Sequence, residues 1–138
     1  MTHSHAIVWM DFREAHVFRF NAGDVEQERL KAHMPFRKVH HKAGVIGAGH
    51  AAADHHFFDH IIDALSGTRE WILAGPGEAK QTFLDYLDKR KHTGGTKLDS
   101  HLVRLESMDH PTDGELLKHA RQAFKAIDRM QANSPPPP

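Results

Sequence analysis

Six of the chain's 14 histidines fall between positions 40 and 60, namely His40, His41, His50, His55, His56 and His60, with Asp54 and Asp59 among them. Imidazole titrates near neutral pH, ligates transition metals and can contact phosphate. On a helix, His56 and His60 stand one turn apart, as do His55 and Asp59, so either pair offers two ligands to zinc. No HExxH motif accompanies them, and nothing in the sequence identifies a hydrolytic base. Without a metal, the same residues make a polar, partly cationic surface. Asp11, Asp109 and Asp113 are a second candidate set, placed near strand ends or at a helix start. Carboxylates so placed could hold two Mg²⁺ ions for phosphodiester cleavage, which makes a metal-dependent hydrolase or nuclease the alternative reading. Turns and first helical turns are also the ordinary structural places for aspartate.

The segment 31–50 is chemically the most distinctive. It carries Lys31, Arg37, Lys38 and Lys42, the histidines His33, His40, His41 and His50, the glycines Gly44, Gly47 and Gly49, and no acid. Fixed positive charge suits phosphate contacts, and imidazole rings can stack on unpaired bases, which favours RNA over a plain duplex. The expected RNA contacts are Arg37, Lys38 and Lys42 on phosphates, His40, His41 and His50 on phosphate or bases, and Gly44, Gly47 and Gly49 where the backbone must approach closely. A solvated loop is the bland alternative.

Two glycine-rich stretches look like nucleotide motifs. Gly47-Ala48-Gly49-His50-Ala51-Ala52 satisfies G-x-G-x-x-A, but a dinucleotide fingerprint needs a buried strand ahead of it, and Val39 to Gly44 is too polar for one. Gly75-Pro76-Gly77-Glu78-Ala79-Lys80 lacks the spacing of a phosphate loop. An acid at the positive end of a helix marks it instead as a tight strand-to-helix turn.

The elements that must position these residues follow from periodicity. Ala6 to Met10 is continuously apolar, the mark of a short strand buried on both faces. His16 to Phe20 alternates, with Phe18 and Phe20 on one face and Val17 and Arg19 on the other. After the turn Asn21 to Asp24, Val25 to Leu30 reads as a third, more exposed strand. Phe57, Phe58, Ile61, Ile62 and Leu65 have helical spacing that ends at Ser66-Gly67. Trp71 to Ala74 is a buried strand, and the next helix turns Ala79, Phe83 and Leu87 inward. Leu102, Val103 and Leu105 suggest a last strand. Thr112 and Glu115 have capping-box spacing ahead of a helix lined by Leu116, Leu117, Ala120, Phe124 and Ile127. The order βββ-α-β-α-β-α predicts one α/β domain over 1–131, a mixed sheet with helices on its faces, followed by a Pro-rich disordered tail at 132–138.

Composition narrows the function classes. A chain of 138 residues with 39% hydrophobic and 26% charged residues reads as a soluble globular protein with room for one core. The absence of cysteine excludes disulfides, thiolate catalysis and iron–sulfur clusters. No membrane span or signal peptide is evident, so a cytoplasmic protein is expected, with no cofactor and no membrane partner. The 18 basic and 18 acidic residues cancel, which argues against a broadly basic nucleic-acid binder. Oligomeric state is left open.

Three stretches together carry a family resemblance. They are His40-His41-Lys42-x-Gly44 with the glycine-rich tip that follows, the run Trp71-Ile-Leu-Ala-Gly-Pro-Gly-Glu-Ala-Lys-Gln-Thr-Phe-Leu-Asp-Tyr-Leu87, and Met108-Asp-His-Pro-Thr-Asp-Gly-Glu-Leu116. The chain thereby resembles the central domain of eukaryotic and archaeal peptide-chain release factors and of Pelota, and is similar to the small bacterial "translational machinery proteins" grouped with them. The resemblance covers roughly Ala6 to Phe124. It implies a ribonuclease-H-like sheet topology and a translation factor whose partner is the ribosome, through rRNA or tRNA. In release factors this domain carries a Gly-Gly-Gln loop that promotes peptidyl-tRNA hydrolysis. The corresponding region here is Gly44 to His50, where Gly49 is followed by His50 and the glutamine is missing. The resemblance therefore points to rescue, hibernation or stress factors of the Pelota type, which lack the motif, rather than to a releasing enzyme.

Overall fold

The computed structural model describes residues 4–32, 55–92 and 98–132. Three strands open the chain as an antiparallel meander: β1 (His5–Met10), β2 (Glu14–Phe20) and β3 (Val25–Lys31). They are followed by α1 (His55–Ala64), β4 (Glu70–Gly75), α2 (Ala79–His92), the single turn α3 (Leu98–His101), β5 (Leu102–Ser107) and α4 (Asp113–Ala132). The five strands form one mixed sheet in the order β3-β2-β1-β4-β5, with β1, β4 and β5 parallel. This is the mixed-sheet α/β domain that the element order predicts, and the strand order agrees with the ribonuclease-H-like topology that the resemblance implies.

Burial explains the apolar runs. Along β1, Ala6, Val8 and Met10 enter one core while Ile7 and Trp9 enter the other, and β4 divides Trp71 and Leu73 from Ile72 and Ala74 in the same way. Alternation across a pleat requires apolar residues at every position when both faces are covered. The first core is closed by Phe57, Phe58, Ile61 and Leu65 at α1 and by Ala79, Phe83 and Leu87 of α2. The second is closed by Leu116, Ala120, Ala123 and Phe124 of α4. The expected division of β2 holds, with Val17 in the first core and Phe18 and Phe20 in the second.

Local signals hold as well. The Gly67 backbone has φ 83°, a left-handed conformation that ends the α1 turn at little cost for glycine. At the start of α4, the Thr112 N–H donates to Glu115 Oε1 at 2.8 Å and the Glu115 N–H donates to Thr112 Oγ1 at 3.1 Å. That is the capping box, and the donors of Thr112 hold the Glu115 carboxyl below its ordinary pKa. The edge strand β3 is mostly exposed and charged; Arg19 reaches across from β2 to Glu26 and Glu28 at 3.3 and 2.9 Å. Charge along an edge deters pairing with another chain.

Sequence periodicity does not reveal α3, whose four residues are too few to show a pattern. Its place is set by an indole: Trp71 Nε1 donates to the Leu98 carbonyl at 2.8 Å inside the core. The segment 33–54 and residues 133–138 lie outside the described residues, and with them the glycine-rich G-x-G-x-x-A stretch and all of the expected 132–138 tail except Ala132, which ends α4.

Two glycines of the strand-to-helix turn differ sharply. A Cβ on Gly75 would lie 2.2 Å from the Met10 carbonyl oxygen, while a Cβ on Gly77 would meet nothing within 4 Å. Gly75→Ala should therefore cost about 1–3 kcal/mol by forcing β1 and β4 apart, and Gly77→Ala should stay within about 0.5 kcal/mol of wild type. Urea unfolding of the two variants checks this.

Candidate functional site

The parallel strands β1, β4 and β5 end at Met10, Gly75 and Ser107, and in open α/β sheets this carboxyl end is where ligands bind. The meander brings the end of β3 to the same side: Lys31 pairs with Glu14, and the Ala32 N–H donates to the Arg13 carbonyl at 2.8 Å. The chain thus leaves the sheet towards the basic segment from its carboxyl end.

Trp9, the next-to-last residue of β1, organises this end. Its Nε1–H is shared between the Met108 and Asp109 carbonyls at 3.1 and 2.9 Å, which ties the β5–α4 connection to the central strand. The His110 and His16 rings lie against the indole at 4.8 and 5.5 Å. Met108, Asp109, His110, Pro111, Glu115 and His119 line an open cavity of about 360 Å³ beside it.

The three aspartates of the nuclease reading gather at this end, but two of them take structural roles. Asp11 Oδ1 accepts the backbone N–H groups of Arg13 and Glu14 at 2.8 and 2.9 Å, closing the β1–β2 turn. Asp113 is held from two strands: His16 Nδ1 at 3.2 Å from β2, with Gln27 Nε2 at 2.6 Å and Arg29 at 2.8 Å from β3. The Arg29 hydrogen bond is the main reason that the Asp113 carboxyl lies below the usual aspartate range. Asp109 points to solvent, 96% exposed, with His110 Nδ1 at 3.3 Å. A two-metal site needs free carboxylate oxygens converging on common ions. Here the oxygens of Asp113 and one of Asp11 are engaged, so the geometry favours the structural roles.

The α1 candidates are placed differently from one another. His55, His56 and His60 are exposed, while Asp59 is half-buried. Asp59 Oδ1 accepts the Tyr86 hydroxyl at 2.6 Å and Arg90 at 2.8 Å, both from α2. Burial, and then the hydrogen bond to the Asp59 carboxylate, raise the Tyr86 pKa. The His55 ring stacks on Tyr86 at 4.8 Å, and the Arg90 guanidinium stands 5.9 Å from the centroid of the same tyrosine ring. Among the described residues, His55, His56, Asp59 and His60 do not belong to any group of three mutually close ligand atoms. His55 instead forms a stacking surface with Tyr86 and Arg90, at the point where the chain returns from the basic segment. Arg37, Lys38, His40, His41, Lys42, Gly44, Gly47, Gly49 and His50 lie outside the described residues.

Sequence spacing does not reveal His16, His110 and Trp9 as neighbours of the aspartates, because they come together only through the sheet register and a connection about a hundred residues away. The Asp113 network makes a pH-dependent prediction. A carboxyl with a lowered folded pKa stabilises the fold above its unfolded pKa, about 3.9, and loses that contribution as pH falls through the folded value. Asp113→Asn should destabilise by about 1 kcal/mol at pH 6, and the gap to wild type should shrink below pH 4. Urea unfolding at pH 6 and pH 3 measures it.

Comparison with known proteins agrees with this architecture. No protein-family model matches the chain, and no curated protein matches it significantly. Solved structures do. Pelota from Thermoplasma acidophilum superimposes with a TM-score of 0.54 at 18% identity, covering 85% of this chain and 31% of its own. Pelota from Archaeoglobus fulgidus gives 0.54 at 18% identity, covering 96% of this chain and 39% of its own. The archaeal translation termination factor aRF1 gives 0.52 at 20% identity, covering 93% and 40%. The chain thus spans less than half the length of each. Its fold is one found in Pelota and in archaeal release factor, as the sequence resemblance implied.

Proposed function

We propose that this chain is a ribosome- or RNA-associated translation factor of the rescue, hibernation or stress type, acting in the cytoplasm without catalysis of its own. The observation that carries the reading is the composition of 31–50, with four fixed positive charges, four histidines, three glycines and no acid. A fold alone does not specify an activity, and the likeness to Pelota and to a translation termination factor adds only the setting in which such a segment would work. Arg37, Lys38 and Lys42 would bind phosphates, Gly44, Gly47 and Gly49 would permit close approach, and His40, His41 and His50 would contact phosphate or bases of rRNA or tRNA. His50 after Gly49, where a release factor has glutamine, supports a role other than peptidyl-tRNA hydrolysis.

Two features beside the segment fit an RNA partner. The chain enters it from the carboxyl end of the sheet and leaves it into the His55–Tyr86–Arg90 stack, where an aromatic ring and a guanidinium stand together. No helix among the described residues is long and apolar enough to cross a membrane. The metal-dependent nuclease reading has no comparable support, since Asp11 and Asp113 are spent on hydrogen bonds within the fold.

The test is co-sedimentation with ribosomes across a salt series. Each phosphate neutralised on single-stranded RNA adds roughly 0.7 to the steepness of log K against log[salt]. Replacing Arg37, Lys38 and Lys42 by Ala should therefore weaken binding at low salt and flatten that slope by about 2. Unchanged pelleting of this variant at low salt would remove the segment from the interface.

A further inference from the structure

We propose that His5, Glu70 and Asp128 form a binding site for a divalent transition-metal ion of the Zn²⁺ class, at the end of the sheet where β1 and β4 begin. This goes beyond the proposed function and does not depend on it. Each residue contributes one ligand atom, and the three atoms lie within 4.8 Å of one another. They come from β1, β4 and α4, so only the folded chain assembles them. His5 and Glu70 are register partners on neighbouring parallel strands, which sets His5 Nε2 and Glu70 Oε1 3.3 Å apart. Two ligands of a tetrahedral ion with bonds of about 2.1 Å are separated by about 3.4 Å, so this edge already has the required length.

The imidazole is oriented by packing. Its ring meets Phe124 at a centroid distance of 4.4 Å and Phe20 at 5.9 Å. Glu70 and His5 are each about a quarter exposed, and Asp128 is exposed, so water has access to the remaining coordination positions and Asp128 can move the short distance that closes the set. Among the described residues the Asp128 side chain has no hydrogen bond or ion pair.

Chemistry narrows the ion. One imidazole nitrogen with two carboxylate oxygens supplies a charge of minus two around a dication, which removes the repulsion between the carboxylates. Imidazole selects Zn²⁺, Co²⁺ and Ni²⁺ over Mg²⁺ and Ca²⁺, whose preferred ligands are oxygens. The spacing patterns of the sequence point to histidines at 55–60, but His5, 65 residues before Glu70 and 123 before Asp128, is invisible to any spacing rule.

The experiment uses the full chain without an affinity tag, with His40, His41, His50, His55, His56 and His60 replaced by Gln so that the other histidine cluster is silent. Titration calorimetry with Zn²⁺, checked by Co²⁺ absorption, should give one equivalent bound, with a zinc-dependent rise in Tm. Asp128→Asn, an exposed change that leaves the core intact, should weaken Zn²⁺ binding by about tenfold or more and reduce the Tm rise at fixed Zn²⁺, as should His5→Gln. His101→Gln should leave both unchanged. Absence of Zn²⁺ binding in the background protein, or binding that survives both His5→Gln and Asp128→Asn with the circular dichroism spectrum intact, overturns the site.

Discussion

The structure depends on one constraint: β1 and β4 are buried on both faces. Each residue from Ala6 to Met10 and from Trp71 to Ala74 loses essentially all contact with solvent. Every carbonyl and N–H in those strands must find its partner in the ladder, and every side chain must find an apolar neighbour above or below the sheet. A short chain meets the requirement by placing α1 and α2 on one side and α4 on the other. The close approach of Gly75 to the Met10 carbonyl belongs to the same constraint, because the two strands separate to feed different connections while still in backbone contact.

With both faces covered, polar chemistry is confined to the ends of the sheet. At the carboxyl end, Trp9 turns a core residue into a tether, its body in the second core and its N–H on the Met108 and Asp109 carbonyls. Trp71 does the same for α3 through Leu98 on the other side of the sheet. An indole buries a large apolar surface while retaining one donor, so it can fix a connection without leaving an unpaired polar group in the core. At the amino end, His5 plays a related part, with its ring against Phe20 and Phe124 and a nitrogen facing Glu70.

This division explains what is legible in the sequence. Continuous apolar runs mark the central strands, alternation marks the two faces of β2, and helical spacing marks α1, α2 and α4, because these patterns are direct images of burial. The capping box of Thr112 and Glu115 and the stop at Gly67 are legible since their interactions span only a few residues. The side-chain networks are not. Asp113 meets Gln27 and Arg29 across 86 and 84 positions, and its role as the clasp between α4 and the meander follows from register alone. Its first-turn position announces an acid but not the partners. Helix spacing on α1 sets His55 and Asp59 one turn apart, but it cannot show the contacts of Asp59 to Tyr86 and Arg90 on the neighbouring helix.

Net charge has the same lesson at a larger scale. The balance of 18 against 18 conceals an acid-free basic segment and a sheet end rich in carboxylates next to its point of departure. Those carboxylates would oppose an anionic partner if they stood free. Apart from Asp109, which faces solvent, they do not: Asp113 is paired with Arg29 and hydrogen-bonded to Gln27, Asp11 receives two backbone N–H groups, and the Glu115 carboxylate is held by the donors of Thr112. Local donors compensate the negative charge over a few ångströms, and its field beyond a Debye length, about 8 Å in physiological salt, is small. The cations of the proposed RNA segment have no such acids within their own stretch of sequence. An electrically neutral chain can therefore present a basic surface, provided that its acids are used to hold the fold.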